Sequence, residues 1–520
     1  MACALHVSAY GQASNAKSAA PYRNIEVHQR NRLQPHVNVI PYGDSAEVLN
    51  AIAALGYRQS PWYLTLNGSW KFRLCKSTDN MPAYWSSIDH DLSRWTDIAV
   101  PGGWEQQGYT TGDGNTPCRI PLRQPRGGDT LATLADTLSA LHIAVGCYVR
   151  DFELPQQWAG RRTVIRFGAV SSAFHLYVNG RQVGYSEDSR TPAEFDITRY
   201  LQPGVNRLMA KVYSFSDGSL LECRDFWGMS GLLRDVALYS TPSPLYINDF
   251  RVTAALDTAD YSRGLFSASV ELPREVGATA VGVELELFDG SVSLLRRRRT
   301  LVGSDFFVIF PARENIIADV KPWSADSPHL YTVVIRLVDT ADSVLQTVGC
   351  RAGFRNVQMV GGVMQLNGKA VTLRGVSRQE HSPFGGRYVT RDEMQRAVRT
   401  LKAEGFNAVR TANGPNDEYW YELCDSEGIY VWDEANVDLH TDSTALLDAV
   451  LFRVNNMFKR DRNHPCIIAW SLGNSCDCFG GRVYRSLKAR DISRPVTCAG
   501  GGLNSCNDII NPLYHLSFGH

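Results

Sequence analysis

The segment Thr390-Arg391-Asp392-Glu393-Met394-Gln395-Arg396-Ala397-Val398-Arg399-Thr400-Leu401, followed by Phe406-Asn407-Ala408-Val409-Arg410, reads as a helix leading into a strand. Thr390 and Glu393 have the spacing of a capping box, in which two side chains satisfy two amides at a helix start. Met394, Ala397, Val398 and Leu401 then share one helical face. The alternation continues downstream. Helices are expected over about 416–427, ended by Gly428, and over 446–460 and 483–488. Strands are expected over 429–432, 466–472, 496–499 and 508–513, and upstream over 370–376. Strand–helix repeats imply a parallel sheet, because a parallel partner is reached only through a crossover. The simplest such fold is an α/β (TIM-type) barrel. Residues 356–520 hold about six strand–helix units, whereas a closed barrel has eight and about 250 residues. An incomplete barrel without its last strands is expected.

Upstream of the barrel the helical period disappears. From about 62 to 240 short alternating runs are broken by Gly, Pro, Asn and Asp. Ala173-Phe174-His175-Leu176-Tyr177-Val178 reads as a strand, and Asn179-Gly180 as a two-residue hairpin turn. Many short strands favour a β-sandwich, here of jelly-roll type. Runs at 283–288, 305–310 and 330–338 indicate a second, smaller sandwich of immunoglobulin-like size. The basic run Arg296 to Arg299 within it reads as a solvated strand or loop. The chain is therefore multidomain: an N-terminal arm (1–55), a jelly-roll-like sandwich (56–243), an immunoglobulin-like sandwich (244–355) and a partial barrel (356–520).

Composition narrows the functional classes. The chain has 520 residues, with Lys+Arg 53 balancing Asp+Glu 53. Balanced charge gives no electrostatic case for nucleic acid or an acidic membrane surface, and no apolar run of about 18 residues marks a membrane span. Twelve cysteines are too sparse for a disulfide scaffold. Cys476-x-Cys478, with Cys498 and Cys506, matches no zinc spacing and reads as scattered thiols. The start of the chain, with an apolar run over 2–7, reads equally as the tail of a signal peptide or as a disordered arm. The compartment thus stays open between cytoplasm and periplasm or secretion.

Catalytic groups of such barrels gather at the C-terminal ends of the strands. Those ends here carry Arg378-Gln379-Glu380-His381, Asn413, Asp438 with His440, and Asn474-Ser475-Cys476-Asp477. Carboxylates, amides and imidazole together suit a polyhydroxylated ligand such as a sugar. Asp433 and Glu434 read as structural, capping or pairing with a neighbouring Arg.

The chain resembles the β-galactosidases of glycoside hydrolase family 2. The resemblance runs through Leu66-Asn67-Gly68-Ser69-Trp70-Lys71-Phe72, Gly184-Tyr185-Ser186-Glu187-Asp188-Ser189-Arg190 and Trp227-Gly228-Met229-Ser230-Gly231. It continues through Trp323-Ser324-Ala325-Asp326-Ser327-Pro328, Asp433-Glu434-Ala435-Asn436, Arg460-Asp461-Arg462-Asn463-His464-Pro465 and Trp470-Ser471-Leu472-Gly473-Asn474. It implies retaining hydrolysis of terminal β-galactosides by two carboxylates about 5–5.5 Å apart. The family's acid/base Glu follows the Leu-Gly-Asn of the fourth strand, where this chain has Ser475. The family's nucleophile lies at the end of the seventh strand, beyond His520. No catalytic carboxylate is therefore assigned, and loss of the acid alone costs about 10²–10⁴-fold. Asp477 is too displaced along the chain to replace it.

By the same resemblance, Asp188, Asn474, Gln379 and Asn413 are the substrate-binding candidates, with Gln379 and Asn413 standing where the family has histidines. Asn115 aligns only loosely with a sugar contact. Magnesium is implied with Asp438 and His440 as ligands, weakened because Ser475 removes the third; no organic cofactor is implied. The expected partner is a galactoside-type carbohydrate, and the protein partner a second copy or a complementing chain. Three functions fit: a family member that no longer catalyses, a carbohydrate-binding protein, or half of a split glycosidase.

Overall fold

The computed structural model describes residues 20–54, 59–110, 143–222, 228–274, 281–301, 306–439, 443–474, 478–499 and 507–511. The first sandwich sets a seven-stranded sheet against a four-stranded one, with a short three-stranded sheet at one end. Ala173–Val178 turns through Asn179-Gly180 into Arg181–Ser186, the pair expected from sequence. Asn179 and Gly180 have φ of 50° and 78°, the left-handed pair whose twist matches two antiparallel strands. Trp70, Phe72, Tyr148, Phe167, Phe174 and Phe195 fill the space between the sheets.

The second sandwich packs two four-stranded sheets. Its strand Gly264–Glu271 alternates strictly between buried and half-buried residues, the signature of one face on a core. The strand expected at 305–310 runs Phe307–Phe310, and residue 305 lies outside the described residues. Arg296 to Arg299 lie on the strand Val292–Leu301 and face solvent, with Arg296 ion-paired to Glu284, Arg298 to Asp342 and Arg299 to Glu314. The solvated reading of that run therefore holds.

Residues 20–54 of the arm are built into both sandwiches. Gln29–Arg30 adds an edge strand to the seven-stranded sheet. Val37, Val39, Ile40 and Val48 are buried in the core of the second sandwich. A short helix, Ser45–Ala53, is capped by Asp44, whose carboxylate accepts the Glu47 amide at 2.8 Å.

Among the described residues the barrel region is a six-stranded parallel sheet in sequential order: β1 (Gly375–Gln379), β2 (Ala408–Ala412), β3 (Tyr430–Glu434), β4 (Ile467–Asn474), β5 (Val496–Ala499) and β6 (Ile509–Asn511). Helices α1 (Arg391–Ala403), α2 (Glu418–Glu427), α3 (Leu447–Asp461) and α4 (Arg482–Lys488) cross between its strands. The run expected as one strand over 370–376 is divided. Asn367 and Gly368 both have positive φ and turn Lys369–Ala370 back onto Gln365 and Leu366, which ends a small antiparallel sheet before β1 begins. That second Asn-Gly turn lies just before the apolar run and draws its first residue, Ala370, into the antiparallel sheet.

The capping box forms as expected. Thr390 Oγ1 accepts the Glu393 amide at 3.3 Å, and Glu393 Oε2 accepts the Thr390 amide at 2.8 Å. Met394 and Val398 are buried beneath α1. Gly428, at φ 74°, ends α2; a Cβ there would come within 2.2 Å of the Ala325 carbonyl oxygen, so a side chain is excluded on two grounds. No helix of the described residues is long and apolar enough to cross a membrane.

The barrel meets the second sandwich around Asp425. Its Oδ1 accepts the Cys466 amide at 2.8 Å, its Oδ2 lies 2.6 Å from His464 Nδ1, and its backbone carbonyl accepts from Trp323 Nε1 at 2.9 Å. Burial opposes a charge on His464, but the Asp425 carboxylate outweighs it and holds the imidazole pKa up at about 9. The folded protein therefore binds this proton more tightly than the unfolded chain. The resulting stabilisation is complete below about pH 6.5 and is lost as pH rises through about 9. Urea titrations across that window are expected to show falling stability in the wild type and a flatter profile in His464→Gln. Thr390→Ala removes the cap of α1 and is expected to cost about 1 kcal/mol in the same assay.

Candidate functional site

The ends of β2, β3 and β4 converge on a chain of hydrogen-bonded polar side chains. Asn413 Nδ2 donates to Asp438 Oδ2 at 2.9 Å, and Asn474 Nδ2 donates to Asp438 Oδ1 at 3.1 Å. Asn474 Oδ1 accepts from Arg410 Nη2 at 2.9 Å. Arg410 then grips Glu434 with two bonds, Nε to Oε2 at 2.7 Å and Nη2 to Oε1 at 3.1 Å. Ser471 Oγ also donates to Glu434 Oε2 at 2.8 Å. Of the candidates Asp188, Gln379, Asn413, Asp438 and Asn474, three are thus brought together: Asn413, Asp438 and Asn474.

Local backbone chemistry produces this convergence. Gly473, at φ 135°, lets β4 pass against Val437; a Cβ there would lie 2.5 Å from the Val437 carbonyl oxygen. The Asn474 amide donates to that carbonyl at 2.7 Å, and the Leu439 amide donates to the Asn474 carbonyl at 3.1 Å. The segment after β3 is therefore laced to the end of β4, which aims Asp438 at Asn474.

Glu434 is fully buried. Burial raises its pKa, and Arg410 and Ser471 oppose the rise. The structural pairing expected for Glu434 is this bond to Arg410. Asp433 is also structural: it accepts from Tyr421 Oη at 2.6 Å and Thr411 Oγ1 at 3.2 Å, and burial with nearby Asp461 drives its pKa well up. Sequence reasoning passed over Arg410 as a site residue. Its signal was an arginine at a strand end, one strand from a carboxylate that needed a partner.

Gln379 stands apart from this chain. Its side-chain oxygen is buried and has no hydrogen-bond partner, an acceptor left at the end of β1. The next residue, Glu380, is held by Arg234 at 2.6 Å and Arg190 at 3.1 Å, both from the first sandwich. His440, Ser475, Cys476, Asp477 and Asn115 lie outside the described residues.

Asp188 occupies a left-handed turn position with φ of 74° and is 3% exposed. Its Oδ1 accepts from Asn436 Nδ2 at 3.0 Å; its Oδ2 accepts from Asn456 Nδ2 at 2.9 Å and Thr191 Oγ1 at 2.5 Å. Burial would raise its pKa, but Arg453 and Arg32 outweigh that and hold it low. The carboxylate is thus engaged at the seam between first sandwich and barrel, and a sugar hydroxyl would have to share or displace those donors.

The described residues do not by themselves make a magnesium site. Both Asp438 oxygens accept amide hydrogens, and no three His, Cys, Asp or Glu side chains of the described residues stand together as ligands. A hard dication prefers several oxygen ligands, whereas Asp438 already serves two amides and Glu434 is bound by Arg410 and Ser471.

Comparison with known proteins gives this arrangement a context. The family model described as "Glycosyl hydrolases family 2, sugar binding domain" matches residues 63–242, "Glycosyl hydrolases family 2" matches 245–355, and "Glycosyl hydrolases family 2, TIM barrel domain" matches 357–518. The chain is 37% identical over 517 residues to the β-galactosidase of Psychromonas ingrahamii, covering 95% of this chain and 48% of that protein. It is 37% identical over 498 residues to the β-galactosidase of Priestia megaterium, covering 91% and 47%. The chain spans about half the length of the curated relatives it matches. Among solved structures it resembles the Bifidobacterium dentium β-glucuronidase, with TM-score 0.70 and 23% identity over 86% of this chain and 76% of that one. A Bacteroides vulgatus β-glycosidase gives TM-score 0.69 and 24% identity over 84% and 54%. Those likenesses show the fold, and the three consecutive family models with the β-galactosidase relatives show the lineage: the chain belongs to glycosyl hydrolases family 2.

Proposed function

We propose that this chain recognises a terminal β-galactoside at the barrel mouth and that its own hydrolysis of unactivated galactosides is strongly impaired. The observation that carries this reading is the end of β4. Asn474 is tied into the Asn413–Asp438–Asn474–Arg410–Glu434 chain, and the residue after it, the family's acid/base position, is Ser475. Cleavage of a glycosidic bond expels an alkoxide that must be protonated as it leaves. A carboxylic acid with a raised pKa can do this near neutral pH, whereas a serine hydroxyl cannot. The two carboxylates in the described chain offer no ready substitute. Glu434 is clamped by Arg410 and Ser471, and Asp438 serves two amides. In this reading the amide and guanidinium groups keep their binding role, which suits a sugar's hydroxyls.

The test pairs binding with turnover. Calorimetry with a non-hydrolysable thio-β-galactoside is expected to show binding, weakened about tenfold by Asn474→Ala through loss of a buried hydrogen bond. Purified protein is expected to leave lactose intact at rates at least about 10²-fold below those of an intact acid/base enzyme. Lactose turnover at ordinary glycosidase rates would overturn the impairment, and absence of thiogalactoside binding would overturn the recognition. Arg410→Ala frees the buried Glu434 charge and is expected to destabilise the fold by about 3 kcal/mol or more, read by urea unfolding.

A further inference from the structure

A cavity of about 360 Å³ lies where the second sandwich meets the barrel, and it is lined by Arg251, Arg355, Arg462 and Arg494. It is on the face opposite the candidate site. Arg462 precedes β4 and Arg494 precedes β5, so the cavity sits at the N-terminal strand ends, whereas Asn413, Asp438 and Asn474 stand at the C-terminal ends. Among the described residues lining it there is no Asp or Glu.

The nearest counter-charges are already engaged. Two carboxylates stand against the four guanidiniums: Asp491 accepts from Arg494 Nη1 at 2.7 Å and lies 3.8 Å from Arg251 Nη2, and Asp249 lies 2.6 Å from Arg462 Nη2 and 3.0 Å from Lys459 Nζ. The guanidiniums are held in place by backbone carbonyls. Arg494 Nε and Arg355 Nη2 both donate to the Ile467 carbonyl, at 2.8 and 2.6 Å, and Arg251 Nη1 donates to the Arg490 carbonyl at 2.9 Å. Arg462 is 8% exposed, and its Nε is buried without a hydrogen-bond partner. Burial, followed by the repulsion of Arg494, pulls the Arg355 pKa down to about 9, a strain that an anion in the cavity would relieve.

We propose that this cavity binds a small phosphorylated sugar, its phosphate held by the arginines and its ring carried by the remaining wall. Guanidiniums attract phosphate by charge and by charge-assisted hydrogen bonds. The volume falls in the range of about 300–1,000 Å³ typical of small-molecule pockets, so it holds a phosphate together with the body attached to it. Thr253, Gln358 and Ser493 line it with groups that can meet hydroxyls, and Ala254 and Ala255 add small apolar side chains to the wall.

The test is calorimetric titration of the full chain at low salt with glucose 6-phosphate, inorganic phosphate and glucose. Glucose 6-phosphate is expected to bind at least about tenfold more tightly than inorganic phosphate, glucose not to bind at this site, and added salt to weaken the complex. Arg251→Ala is expected to weaken binding about tenfold, the loss of one charged hydrogen bond. Ile492 is 86% exposed at the cavity rim, so Ile492→Asp and Ile492→Lys change local charge without touching the core. The Asp variant is expected to weaken binding and the Lys variant to keep it, which carries the test even where Arg251→Ala fails to fold. Equal affinity for inorganic phosphate would overturn the assignment to a phosphorylated sugar. No binding, or binding that neither Arg251→Ala nor Ile492→Asp moves, would overturn the site.

Discussion

The Glu380 carboxylate, buried where β1 ends and gripped by Arg190 and Arg234, joins the first sandwich to the barrel. Taking such charges out of water costs several kcal/mol per ion, and only close, multiply bonded geometry repays it. The seam meets that demand. Glu380 Oε1 also accepts the Asp417 amide at 2.8 Å, and Arg234 Nη2 donates to the Pro415 carbonyl at 2.8 Å. Beside it, Asp188 takes amide hydrogens from Asn436 after β3 and Asn456 on α3. Arg453, also on α3, bonds Glu222 at 3.0 Å. The strand ends that form the barrel mouth are therefore positioned from outside the barrel as well as by their own sheet.

That dependence explains the division of labour among the charged residues. Carboxylates at the ends of β1 and β3 have different tasks because their neighbours differ. Glu380 and Glu434 neutralise arginines, Asp433 is held by a tyrosine hydroxyl, and Asp438 orients two amides. The polar groups that remain at the mouth are amides and a guanidinium. A lineage shared with β-galactosidases supplies the scaffold, and what a scaffold does depends on the side chains set at its strand ends.

The two ends of the parallel sheet carry contrasting electrostatics. The C-terminal ends hold a mixed chain of carboxylates, amides and Arg410, whereas the N-terminal ends open onto guanidiniums whose counter-charges lie outside the cavity wall. Both are anchored through β4, whose eight residues are all buried. Its N-terminal Ile467 carbonyl receives Arg355 and Arg494, and its C-terminal Asn474 closes the other site.

Local rules were enough for much of this molecule. The capping box at Thr390 and Glu393, the stop at Gly428, the Asn179-Gly180 turn and the strand–helix alternation were legible because each depends on a few neighbouring residues and a fixed period. The motifs that carry the family resemblance were legible for the same reason, as were the polar residues at strand ends. The boundary near Ala370 was misread because the continuous apolar run does not show that Ala370 pairs back across the Asn367-Gly368 turn while β1 starts at Gly375. What Asp188 touches could not be read at all: its partners Asn436 and Asn456 lie 248 and 268 residues away. The arginine cavity likewise gathers Arg251, Arg355, Arg462 and Arg494 from segments that meet only when the second sandwich docks on the barrel. Periodicity settles which face of an element is buried. Which buried polar groups then meet depends on how domains dock, and there each desolvated charge must find its partner across the seam.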